Sequence, residues 1–231
     1  MDADLNRFYQ LLTALEARSG QGGSLAEYTG RSGWPSRGVY FFREPGEHRG
    51  TASRAPRVVR VGTHAVSAGS RSRLWGRLRT HRGGRGGGGN HRGSVFRRHV
   101  GAALLVRDRE EIGELPTWGE KSSAPRHVRA SEAAHEARVS AYLGRMSVLW
   151  VEVPDEPGPE SHRAYIERNA IALLSNQLRP IDQPSETWLG LHSPYSVIRQ
   201  SGLWNVNHVE QRYEPEFLDV MAGCIRISHH P

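Results

Sequence analysis

A single cysteine, Cys224, stands among 231 residues. It excludes a disulfide within the chain and any cysteine-based zinc site. Lysine is equally scarce, with Lys121 the only one. Long apolar runs are missing too. The longest, Val100 to Val106, falls far short of the ~20 residues that a membrane-spanning helix needs. Asp2, Asp4, Arg7 and Glu16 interrupt the apolar residues at the start, so a signal peptide is not expected and a cytoplasmic protein is. The most telling absence is local: no carboxylate lies between Arg71 and Arg98.

What is present is arginine. The formal net charge is +7. Codon usage in a GC-rich genome would account for a preference of arginine over lysine, but not for clustering. The guanidinium fork donates two hydrogen bonds at once and suits phosphate. The run containing Arg71, Arg73, Arg79, Arg82, Arg85, Arg92, Arg97 and Arg98 therefore points to a polyanionic partner. With 37% hydrophobic residues, the chain can also build a core of one sizeable domain.

Along the chain, Leu5, Phe8, Leu11, Leu12 and Leu15 recur at helical spacing, predicting a helix over 2–18 with Asp2 or Asp4 as cap. Two β-rich runs, 38–43 and 57–62, predict strands joined by a long polar connection. A helix is expected over 72–81, capped by Ser70 or Ser72. One of its faces packs on the sheet, and Arg73, Arg77 and His81 share the flank. Residues 81–93, rich in glycine, read as a flexible segment unable to contribute to a core. A helix over 94–106, an irregular stretch over 107–129, a helix over 130–143, a strand over 147–153 and a helix over 160–174 follow. The tail carries Trp188, Tyr195 and Trp204 and a short helix near 215–222. The expected class is α+β: a small mixed or antiparallel three-stranded sheet flanked by helices. Three stretches are delimited: 1–35, 36–180 with the insert 81–93, and an extension over 181–231 packed on the same domain.

In this order Gly38-Val39-Tyr40 resembles the first motif of the GIY-YIG nucleases, and Arg60-Val61-Gly62 stands where their second would be. Arg77 and His81 resemble the family's helical arginine and histidine, and Glu167 its metal-binding glutamate. The similarity covers roughly residues 36–180. No one tripeptide is specific; the ordered set, each member on its expected element, is.

The resemblance implies a DNA endonuclease that hydrolyses phosphodiester bonds with one Mg²⁺ or Mn²⁺ held by Glu167. A restriction, defence, repair or mobile-element setting stays open. In the family a tyrosine helps to deprotonate the attacking water. A free phenol has a pKa of ~10 and works as a base only where positive charge favours its anion. Arg60 and Arg77 are placed to supply that charge to Tyr40. Arg77 would also bind the non-bridging phosphate oxygens, and a hard cation on Glu167 would stabilise the leaving oxygen. His81 would shuttle a proton or hold Tyr40. Two departures stand out. Arg60 replaces the tyrosine of the second motif, and the family's asparagine has no clean counterpart, Asn176 being the nearest.

Taken singly, each residue has a plainer role. Tyr40 fits a half-buried strand position, Arg77 a solvated helix face, and His81 a helix C-terminus. Glu167 could pair with Arg163 or Arg168. The Gly-rich run also resembles the arginine-glycine segments of RNA-binding proteins. The rival reading is thus a nucleic-acid-binding protein with a degenerate site. The expected partner is duplex DNA, contacted mainly at phosphates, with no membrane and with a homodimer or a monomer both open.

Overall fold

The computed structural model describes residues 3–50 and 54–227. Asp2, one of the proposed caps, and the terminal His229 and His230 lie outside them.

Three strands form the sheet: β1 (Gly38–His48), β2 (Pro56–Gly62) and β3 (Ser147–Glu152). Their order is β2-β1-β3, both pairings antiparallel. In register, Tyr40 stands opposite Gly62 on one side and Trp150 on the other. Both faces of the sheet are covered, which is why all three strands read as near-continuous apolar runs rather than alternating ones. One face carries Val39, Phe41, Leu149 and Val151, packed under α1 (Ala3–Ser19), α6 (His162–Leu174) and α8 (Phe217–Ile227). The other carries Tyr40, Phe42, Val148 and Trp150, packed under α2 (Leu74–Arg82), α3 (Val95–Arg107) and α5 (Arg126–Gly144). Between α3 and α5 lies a single turn, α4 (Arg109–Ile112), and α7 (Ser196–Ser201) precedes α8. The helical stripe of α1 buries Leu5, Phe8, Leu12 and Leu15, each worth ~1.5–3 kcal/mol in removed apolar surface. The fold is α+β, with an antiparallel sheet.

Several boundaries differ from the expectation. β1 runs five residues past Arg43, because two carboxylates of the polar stretch after it, Glu44 and Glu47, are buried and held by partners. Glu44 accepts hydrogen bonds from Tyr142 and from the indoles of Trp188 and Trp204. Glu47 pairs with the fully buried Arg57. Helix α5 starts four residues early, and α4 interrupts the stretch expected to be irregular. Neither Ser70 nor Ser72 caps α2; Arg73 occupies the cap position without a side-chain bond. Ser94 and Ser161 do cap α3 and α6, accepting from Arg97 N and Ala164 N.

The largest correction concerns residues 81–93, expected to contribute nothing to a core: His81 and His91 are buried, although most of the glycines between them are exposed. His91 is buried, its Nδ1 against Glu136 at 2.9 Å and its ring stacked on Trp118 at 3.9 Å. The glycines serve close approach. A Cβ on Gly89 would lie 1.9 Å from the Arg97 guanidinium, and one on Gly83, at φ +84°, would lie 2.5 Å from the Gly88 carbonyl oxygen. The chain wraps a buried arginine, and only glycine leaves room for it.

Candidate active site

The site forms at the end of β2, where the two helical layers meet. Two glycines permit it. A Cβ on Gly38 would come within 2.5 Å of the Val151 carbonyl oxygen, and one on Gly62 within 2.3 Å of the Tyr40 hydroxyl. The glycines of the two motif-like tripeptides are thus demanded by the β1–β3 spacing and by the tyrosine.

From the inner face of β1, Tyr40 reaches α2, and its hydroxyl lies 2.8 Å from His81 Nε2. The other ring nitrogen, Nδ1, lies 2.7 Å from the hydroxyl of Ser94. Ser94 also accepts from Arg97 N at 3.2 Å, so one hydroxyl caps α3 and holds the histidine. His81 is fully buried. Burial, reinforced by the charges of Arg77, Arg60 and Arg97, depresses its pKa well below the ordinary value, which keeps the imidazole neutral.

Arg60 stands opposite Phe42 in β2 and therefore on the same face as Tyr40. Its guanidinium lies 4.7 Å from the Phe96 ring centroid and donates to the Trp204 carbonyl at 2.7 Å. Burial lowers its pKa, while the neighbouring Tyr40 and Glu167 act in the opposite direction. From α6, Glu167 accepts from Thr63 N at 3.1 Å through Oε1. Burial raises its pKa, partly offset by Arg60, by the Thr63 N–H and by Arg77.

Arg60, Arg77 and Glu167 line one pocket of about 200 Å³, together with Asn205, Val206, Asn207 and His208. Tyr40 and His81 are not in that lining; they abut it through Arg60. The structure therefore gathers all five expected catalytic positions into one place, in two tiers. Asn176 belongs elsewhere: its amide ties Asp182 to the Ser201 carbonyl. Asn205 was missed by sequence reasoning. It donates to the Val61 carbonyl at 2.9 Å and accepts from Val61 N at 3.0 Å, pinning the middle residue of the second motif. Its only sequence signal was its place after Trp204, in a tail without motif.

The arginine run divides. Arg71, Arg73, Arg79 and Arg85 are exposed and Arg98 is half-buried. Arg82 is half-buried, donates to the Tyr28 carbonyl and lies over the Trp75 ring. Arg92 and Arg97 are consumed internally. Arg92 pairs with Glu132, and Arg97 pairs with Glu136 and donates to the His81 carbonyl. Their guanidinium groups face protein, contrary to the role expected of them.

Among the described residues no group of three or more His, Cys, Asp or Glu side chains could hold a metal ion. The donor set fits a hard cation bound by one carboxylate. Glu167 has one oxygen on a backbone amide and faces a pocket large enough for waters and a phosphate. No described helix is long and apolar enough to cross a membrane.

Neither a curated protein nor a solved structure matches the chain. A family model does, that of the GIY-YIG domain, over residues 1–230. This takes in α1 and the C-terminal extension that the motifs do not reach. The chain belongs to the GIY-YIG family, a family of nucleases.

Proposed function

We propose that the protein is a divalent-metal-dependent endonuclease that hydrolyses phosphodiester bonds of duplex DNA. One observation carries this reading. Arg60, Arg77 and Glu167 converge on one pocket, and among the described residues neither arginine forms an ion pair, whereas the arginines buried for structure do. Two guanidinium groups without an ion-paired carboxylate attract a phosphate and stabilise the charge that grows on it during attack.

Glu167 would hold the cation, Mg²⁺ or Mn²⁺, which when bound draws negative charge from the phosphate and the leaving oxygen. Arg77 binds the non-bridging oxygens. Arg60 sets positive charge between the pocket and the Tyr40 hydroxyl, taking over the ground that the family gives to a second tyrosine. Tyr40, as its phenolate, receives the proton of the attacking water, and His81 holds its oxygen. The exposed Arg71, Arg73, Arg79 and Arg85, together with Arg98, supply phosphate contacts outside the pocket. Affinity should accordingly fall steeply with salt.

The test uses Glu167→Gln with plasmid DNA and Mg²⁺ or Mn²⁺, against a chelator control. Cleavage should vanish while DNA binding stays close to the parent's, since the arginine surface is untouched. A parent that binds DNA and cuts none with either ion would instead make this a binding protein with a degenerate site. If parent and variant cut equally, Glu167 has no part in the reaction.

A further inference from the structure

The hydrogen-bonded chain Ser94–His81–Tyr40 has two possible directions, and they assign opposite roles to His81. In one, Tyr40 donates to Nε2, Nδ1 carries the imidazole hydrogen, and the histidine is an acceptor that ties up the phenolic proton. In the other, Ser94 donates to Nδ1, Nε2 carries the hydrogen, and His81 donates to the Tyr40 oxygen. A neutral imidazole has one donor and one acceptor, so the choice at one nitrogen fixes the other. His81 is held neutral by burial and by the three surrounding arginines.

We propose that Ser94 is a positioning residue that fixes His81 in the Nε2–H form, so that the chain runs from Ser94 through His81 to Tyr40. The two ends of the chain differ. Ser94 is buried, and its oxygen accepts the Arg97 N–H. Nδ1 of His81, at 2.7 Å, is the one acceptor among the described residues placed to take its hydrogen. Reversing the chain would strand that hydrogen at a blind end. Tyr40 is buried as well and stands outside the pocket lining, but it adjoins a residue that belongs to that lining. Its oxygen faces Arg60, and Arg60 lines the pocket. With the chain running this way, Nε2–H and the Arg60 guanidinium both direct positive charge at the phenol oxygen; the phenolic proton passes to solvent before attack, and the phenolate then takes the proton of the attacking water. His81 then takes no proton from Tyr40; it steadies the oxygen that acts.

The neighbourhood supports the same assignment. Arg97 donates to the His81 carbonyl at 2.9 Å and is itself anchored by Glu136. The first turn of α3 therefore grips His81 at its backbone through one residue and at its ring through another. Ser94 resembles an ordinary helix cap in sequence, and only the position of His81 gives its hydroxyl a second task.

This inference rests on the reading of Tyr40 as the proton acceptor, and the test separates the two. The full-length protein, labelled with ¹⁵N-histidine, is examined by two-bond proton–nitrogen NMR at neutral pH, with His81 assigned from the spectrum of His81→Gln. A protonated Nε2 and a bare Nδ1 are expected; a protonated Nδ1 overturns the proposal, whether or not the protein cuts DNA. The second measurement is kinetic. Ser94→Ala should lower kcat by on the order of 10- to 100-fold with KM for DNA little changed, and its His81 should lose the pure Nε2–H signature. A variant with the parent's kcat, or one whose loss lies in KM alone, overturns the positioning role. A parent inactive on every DNA would defeat the nuclease reading, while the NMR result would still decide the direction of the chain.

Discussion

Two sets of arginines, one buried and paired, the other lining the pocket, can be set side by side in this molecule. Arg57, Arg92, Arg97 and Arg163 are each paired with a carboxylate: Glu47, Glu132, Glu136 and Asp155. Arg60 is buried too, but among the described residues it has no ion pair; it donates to the Trp204 carbonyl and lies beside Tyr40. Arg77 beside it has no ion pair among the described residues. A guanidinium removed from water is costly unless compensated. The first set is compensated by the fold. The second is left for something outside it, and the pocket shared with Glu167 shows where that something would sit. Arginine content alone therefore says little about charge on offer; pairing says much more.

The sharpest way to break the comparison is to unpair a structural arginine. Glu136→Ala leaves Arg97 buried without its counter-charge and should cost about 3–5 kcal/mol, read as a large fall in Tm. Replacing Arg97 and Glu136 together by apolar residues of similar size should recover most of it. The opposite pattern is expected at the pocket. Arg77→Ala should leave Tm close to the parent's and reduce cleavage by on the order of 10²–10³-fold. Equal damage to stability in both variants would erase the distinction between the two sets.

The glycine wrap around Arg97 offers a smaller test. Gly89→Ala places a methyl group 1.9 Å from the guanidinium and should destabilise by about 1–3 kcal/mol, measured by denaturant titration. The same change at Gly86, where an added Cβ meets nothing within 4 Å, should cost far less. The smallest effect is at Glu167, whose folded-state pKa is raised by burial. A raised carboxylate pKa means that ionisation opposes folding. The penalty is absent at pH below the ordinary carboxylate value and is complete above the raised one. In chelator, Glu167→Gln should thus melt slightly above the parent at neutral pH, and the gap should close as pH falls through that window. A gap that widens in acid would reverse the sign assigned here.

The divide between what could and could not be read from sequence follows the same line. The apolar cores of β1, β2 and β3 announced themselves through β-branched and aromatic runs, and α1, α3 and α6 through helical spacing. These are signals carried within a few residues. Tyr40, Arg60, Arg77, His81 and Glu167 were grouped because each stood on a recognisable element in a known order. What stayed hidden depends on partners far along the chain. Glu44 extends β1 because Tyr142, Trp188 and Trp204 come to it. Arg97 looked like one more surface cation because Glu136, some forty residues on, was invisible as its mate. Asn205 lacked any local signal, since its role is defined by the backbone of Val61.

That asparagine has a wider consequence. Its side-chain amide reads the N–H and C=O of Val61 much as a neighbouring strand would, and Trp204 N adds a bond to the Val59 carbonyl at 2.8 Å. The far edge of the sheet is closed likewise: Val148 N donates to Gly23 O, Leu25 N to Met146 O, and Trp150 N to the Gln21 side chain. With both rims occupied among the described residues, these stretches of the sheet offer no free ladder for a strand from another molecule to extend. Self-association of this chain, where it occurs, should therefore use helix faces and loops, and crowding should not drive it into edge-to-edge ribbons.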